Sequence, residues 1–106
     1  MSEERQCLFI VGMDVEPGKE DLFNEVYDHE HLPYMLKVPG FLGAKRYEVA
    51  SDEYSPKYLA VYELESPEVL TTDAYKKGRD FGRWPDQVRP HTFNRTRGVY
   101  LSRRPD

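Results

Sequence analysis

The chain opens on a continuous apolar run of strand length, Cys7-Leu8-Phe9-Ile10-Val11-Gly12-Met13. Apolarity that is continuous rather than alternating predicts a strand covered on both faces. Glu16-Pro17-Gly18 is a turn leading into a helix with Pro17 near its start. Over residues 19–32 the period is helical, with Leu22, Phe23, Val26 and Tyr27 on one face and Glu20, Asn24, Glu25 and Asp28 on the other, toward solvent. Pro33 disfavours helical backbone at Leu32, which predicts a kink or an end there. Val38-Pro39-Gly40 is a second turn signal. The strand expected over 41–49 puts Phe41, Gly43, Lys45, Tyr47 and Val49 on one side, and Leu42, Ala44, Arg46 and Glu48 on the other. A polar hairpin-type connection over 51–56 leads to a third strand over 57–64, again apolar on both faces until Glu63. Ser66-Pro67-Glu68 reads as a helix start, with a capping serine, proline at the first position and an acid suited to the dipole. That helix is expected to end at Gly78. Residues 79–91 are expected to form an ordered surface excursion, and a last strand covers about 93–101.

The order β-α-β-β-α-β predicts an α+β fold of the ferredoxin-like kind, a single domain over residues 1–106 built on a four-stranded antiparallel sheet. Two helices cover only one face of such a sheet. Because the first and third strands are apolar on both faces, the second face needs cover as well. Another copy of the same sheet supplies it most economically, which predicts a two-fold homodimer enclosing a barrel-like space.

Composition narrows the classes. No run approaches the roughly 20 apolar residues of a membrane span, and the acidic N-terminus lacks the layout of a secretory signal. With Cys7 as its only cysteine, the chain has no internal disulfide. These features predict a cytoplasmic protein with no membrane partner. The net charge of −4 argues against a nucleic-acid partner. That total hides an asymmetry: residues 1–76 carry 7 Lys+Arg against 16 Asp+Glu, whereas residues 77–106 carry 8 against 3. Most of this late excess is arginine, including Arg79, Arg83, Arg89, Arg95 and Arg97. Either acidic and basic surfaces complement one another, or some of these arginines face an anionic ligand.

Candidate chemistry centres on Tyr27-Asp28-His29-Glu30-His31-Leu32-Pro33. At 100° per residue, Glu30 falls near the centre of the stripe made by Leu22, Phe23 and Val26, and His31 at its edge. A histidine beside a glutamate at a proline-broken helix end suits general acid–base work at a pocket rim, although a helix C-cap would look the same. A metal site is disfavoured, since His29 and His31 point apart on a helix and no HExxH-type spacing occurs. There is no Gly-rich phosphate loop. Tyr47, Tyr58, Tyr62 and Tyr100 all fall on strands, and phenols lining a cavity give an apolar wall with hydrogen-bonding tips. Arg46 is the arginine expected to be held inward, by Glu30 or Glu48, and Trp84 is expected to anchor the excursion over the barrel end.

The stretch 27–33, with Val38-Pro39-Gly40-Phe41, Ala44-Lys45-Arg46-Tyr47 and Tyr58-Leu59-Ala60-Val61-Tyr62-Glu63-Leu64, resembles the dimeric α+β barrel superfamily. Within it, the chain is most similar to the small proteins related to the ethyl tert-butyl ether degradation (EthD) family. The resemblance implies a homodimer and a cavity for a small molecule. Superfamily activities include cofactor-free monooxygenases, polyketide cyclases, haem-linked enzymes and muconolactone-type isomerases. In several, a histidine and a tyrosine facing the cavity do acid–base work on a phenolic or enolic substrate. His31 matches the histidine before Leu-Pro, and Glu30 its acidic neighbour; Val26 stands where a tryptophan is more usual. The haem-degrading branch carries an Asn/Trp/His constellation, which Asn24 on the solvent face does not match.

The expectation is therefore a lyase, isomerase or cyclase acting without metal or cofactor on an apolar, oxygenated, aromatic small molecule. His31 is the acid–base group, Glu30 orients it, and Tyr47 or Tyr62 bonds a substrate oxygen. Phe23, Tyr27, Arg46, Tyr62 and Trp84 are the candidate substrate contacts. The alternatives are a non-catalytic binding or accessory protein and a cofactor-free or haem-dependent monooxygenase.

Overall fold

The structure is a computed structural model that describes residues 5–103. Strand β1 (Cys7–Val15) is followed by helix α1 (Glu20–Val26), a π turn (Tyr27–His31) and helix α2 (Leu32–Met35). Strands β2 (Phe41–Glu48) and β3 (Tyr58–Leu64) come next, then a 3-10 turn (Pro67–Thr71) and helix α3 (Asp73–Arg79). A second π turn (Trp84–Val88) and a 3-10 turn (Arg89–His91) lead to strand β4 (Thr92–Leu101). The strands pair in the order β2-β3-β1-β4, antiparallel throughout. This is the expected α+β ferredoxin-like arrangement, with the longest apolar runs at its centre.

Register sorts the two faces. Cys7, Phe9, Val11 and Met13 of β1 lie opposite Leu64, Tyr62, Ala60 and Tyr58 of β3. This is the helix-covered face, and Phe23, Val26, Tyr27, Met35 and Val88 pack over it. On the open face stand Leu8, Ile10, Leu59 and Val61, only half-buried, with Tyr47 and Tyr100 exposed. In β2 the alternation departs from expectation. A bulge between Phe41 and Gly43 inserts one residue, so Phe41 shares the covered face with Ala44 and Arg46 while Tyr47 turns outward. The four strand tyrosines are thereby divided: Tyr58 and Tyr62 face the helices, Tyr47 and Tyr100 do not.

The helices correct two expectations. Pro33 does not end its helix, although the regular α-helical ladder is interrupted just ahead of it by the π turn. Leu32 keeps helical angles (φ −64°, ψ −44°), and its N–H donates to the carbonyl of Tyr27, five residues back. Interior proline lacks an N–H and crowds the carbonyl four residues earlier, and the wider π turn just ahead of it relieves both. The second helix does not begin at Ser66, whose side chain makes no capping bond. A short 3-10 turn intervenes, and Thr72 is the cap, its hydroxyl accepting from the N–H of Tyr75.

Candidate active site: a histidine and two phenols behind an arginine rim

The π turn sets the geometry of the site. Each residue in it advances by less than the 100° of an α-helix, so the phase expected for residues 30 and 31 is exchanged. His31 swings onto the buried face, 7% exposed. Glu30 moves off the stripe to the rim, where Oε1 accepts from the N–H of Arg83 (3.0 Å) and Oε2 from Arg83 Nε (2.6 Å). These bonds hold its carboxyl below the usual range. Gly82 makes the bond possible: its φ is +77°, and a Cβ there would stand 2.7 Å from Glu30 Oε1. Glu30 therefore latches helix to excursion and does not orient His31, contrary to expectation.

His31 lies against Trp84, ring centroids 4.5 Å apart and nearly parallel, and meets the ring of Tyr27 edge-on at 4.9 Å. Its Nδ1 is buried without a hydrogen-bond partner. Burial, first, and then the positive charges of Arg89 and Arg95 lower its pKa from 6.5 to about 4, so the imidazole is neutral at pH 7. Beside it, the hydroxyls of Tyr27 and Tyr62 share a hydrogen bond of 3.1 Å. Burial raises the pKa of both, and both are neutral phenols. Only one of their two protons is used between them, which leaves a donor for another oxygen.

These side chains line a cavity of about 300 Å3 between the sheet and the helices, at the lower end of the range for small-molecule sites. Phe9, Val11, Met13 and Tyr62 form its floor on the sheet, and Met35, Tyr75 and Trp84 its apolar walls. Arg79, Asp80, Arg89, Arg95 and Arg97 stand at its polar side.

The structure thus brings four of the expected residues together: His31, Tyr27, Tyr62 and Trp84. Four others lie elsewhere. Tyr47 is on the open face, 48% exposed, because of the β2 bulge. Phe23 is fully buried behind the site, against Tyr27 and Trp84. Glu30 is at the rim. Arg46 does point inward, but its partners are Asp28 (2.7 Å) and Asn24 (2.9 Å), not Glu30 or Glu48, and its guanidinium lies over the rings of Tyr27, Phe23 and Tyr58. Asn24 is correspondingly half-buried rather than on the solvent face, since it also donates to Tyr58. The rim arginines were absent from the expected site, although the charge asymmetry of the last 30 residues was their signal.

Among the described residues there is no group of three or more His, Cys, Asp or Glu able to hold a metal, and no helix is long and apolar enough to cross a membrane. A haem could draw an imidazole from His31 and cations from the rim. The cavity, however, is walled by the buried side chains of Tyr27, Met35 and Trp84, and at about 300 Å3 it is at the small end for a ligand of that size.

No family model matches the chain, and no curated protein does. Several solved structures do. An EthD family protein from Bacillus halodurans C-125 superposes with a TM-score of 0.67 at 18% identity, covering 92% of this chain and 99% of that one. SnoaB, a cofactor-independent oxygenase from Streptomyces nogalater, gives 0.62 at 12%, covering 94% and 95%. The heme-degrader MhuD from Mycobacterium tuberculosis, with two hemes bound in its active site, gives 0.64 at 17%, covering 91% and 94%. The chain therefore has the fold that these EthD family, oxygenase and heme-degrader structures share.

Proposed function

We propose that the protein binds an apolar, oxygenated, aromatic small molecule between sheet and helices and moves a proton on it, with His31 as the acid–base group. The observation that carries this reading is a buried, neutral imidazole with an unpartnered nitrogen, set beside a phenol pair in a cavity. Neutral imidazole accepts a proton from an acidic C–H or O–H of the ligand. The free phenol proton of the Tyr27–Tyr62 pair donates to the oxygen on which negative charge develops. Trp84, Phe9 and Met35 hold the aromatic body. Returning the proton to a different atom gives isomerase, lyase or cyclase chemistry. A second reading is oxygenation of the deprotonated ligand, favoured by the solved structures of like fold described as an oxygenase and a heme-degrader; dioxygen uptake would separate the two.

The test is enolisation of 2-tetralone in D2O, followed by NMR as loss of the C1 proton signal. The wild-type protein should accelerate exchange, and His31→Leu should return it to the rate in buffer. Equal acceleration by both proteins, or none by the wild type, would sink the assignment.

The open face carries a second proposal: it is covered by another copy, sheet against sheet, as a homodimer. The half-buried Leu8, Ile10, Leu59 and Val61 form a continuous apolar strip across the two central strands. Sedimentation equilibrium at micromolar concentration should give twice the chain mass, and Val61→Lys should give the single mass. A wild-type monomer would contradict the proposal.

A further inference from the structure

Deepening the reading above and resting on it, we propose that Arg95 and Arg97 form a carboxylate-binding subsite, so that the substrate is an aromatic carboxylate. Four arginines and one aspartate line the polar side of the cavity. Asp80 is already engaged, 2.7 Å from Arg89 and 4.0 Å from Arg79. Arg95 and Arg97 have no carboxylate within 4 Å among the described residues. The bond Arg95 makes is to the hydroxyl of Thr92 (3.2 Å), and the guanidinium of Arg97 lies over the ring of Phe9 at 5.0 Å.

The two side chains lean inward for a reason of register. Arg97 is paired with Val11 on the covered face of the sheet, and Arg95 follows on the same side of β4. Two like charges on alternate positions of one strand repel, and the Thr92 hydroxyl and the Phe9 ring are neutral partners that leave both charges without a counter-ion among the described residues. Desolvation, together with Arg89 and Arg97, also opposes the charge on Arg95. An arrangement that costs the empty protein is stabilised by an anion in the cavity. A planar carboxylate matches the guanidinium fork, while its ring occupies the apolar part beside Trp84 and Phe9.

The subsite also acts on the base. The charged and titratable groups that face His31 are Tyr27 from its own helix, Asp80 and Arg89 from the excursion, and Arg95 from β4. A carboxylate beside Arg95 offsets the repulsion that this arginine exerts on the imidazolium. His31 thereby becomes more basic as the site fills.

Calorimetric titration with 2-naphthoate and with its neutral methyl ester tests the subsite. The acid should bind about 10- to 100-fold more tightly, the range of one charge-assisted contact. That preference should vanish in the Arg95→Gln/Arg97→Gln double variant and persist in Arg103→Gln, which lies outside the cavity lining. NMR titration of His31 should show its pKa rising with naphthoate and not with the ester. Equal binding of acid and ester would overturn the subsite while leaving the aromatic cavity intact. Binding of neither would overturn both the subsite and the proposed aromatic ligand. A preference retained by the double variant would also overturn it, since the anion would then be held elsewhere.

Discussion

Trp84→Ala is expected to cost the protein about 3 to 5 kcal/mol, the range for removing a large aromatic from a packed interior. Trp84 is 3% exposed and touches three other rings: His31 at 4.5 Å, Tyr27 at 5.1 Å and Phe23 at 6.1 Å. It opens the second π turn, so it ties the excursion to the helix that carries His31. Truncation leaves a void on the core side and frees the excursion on the other. Against a total stability of about 5 to 15 kcal/mol for a small domain, such a loss puts a measurable part of the population into the unfolded state. Urea denaturation followed by far-UV circular dichroism measures it, since the variant lacks the chain's single tryptophan. Trp84→Phe should retain more than half of the lost stability. A loss below about 1 kcal/mol for the alanine variant would mean that the excursion is held by Glu30–Arg83 and Val88 rather than by the ring stack.

The second large effect is a dependence of stability on pH through His31. In the unfolded chain the imidazole titrates near 6.5, and in the folded protein near 4. Above pH 6.5 it is neutral in both states, and its contribution to folding is fully present. As the pH falls from 6.5 to 4, the unfolded chain takes up a proton that the folded chain does not. Unfolding becomes easier by about 1.4 kcal/mol per pH unit, or about 3 kcal/mol in all. Below pH 4 both states bind the proton and the loss levels off. Denaturation midpoints measured across this window should fall accordingly, and His31→Leu should flatten the slope. An unchanged slope in that variant would place the buried histidine's titration near its ordinary value.

Much of the fold was legible because strand signals are short-range. The runs at 7–13 and 57–64 are apolar on both sides, which marked them as strands whose two faces both need cover, and the structure places them at the centre of the sheet. The site was half legible. Tyr27 and Tyr62 lie on the faces their periodicity pointed to, whereas His31, expected at the edge of the stripe, reaches the buried face through the π turn. Glu30 and Tyr47 were misplaced for one shared reason: each follows a single-residue irregularity, the π turn or the β2 bulge, that shifts the period on which pattern reading depends. Neither irregularity has a composition signature of its own. Arg46 was placed correctly as inward but assigned the wrong carboxylate: it pairs with Asp28 and Asn24, one helical turn apart on a face that the pattern directed to solvent. The rim arginines come from the end of α3, the excursion and the edge strand β4, and it is the pairing with β1, which the sequence does not print, that turns Arg97 to the covered face.

The π turn over residues 27–31 has one more consequence. A turn of this kind is what a helix does with one residue too many. The position of His31 over the cavity is therefore encoded in the length of the chain between Val26 and Leu32 as much as in any side chain. Removing the exposed His29 would let the segment relax into a continuous α-helix, leaving the sheet unaltered and changing the placement of His31 relative to Tyr27. Relatives that share every residue named here but differ by one position in this segment would keep the fold and have a different pocket.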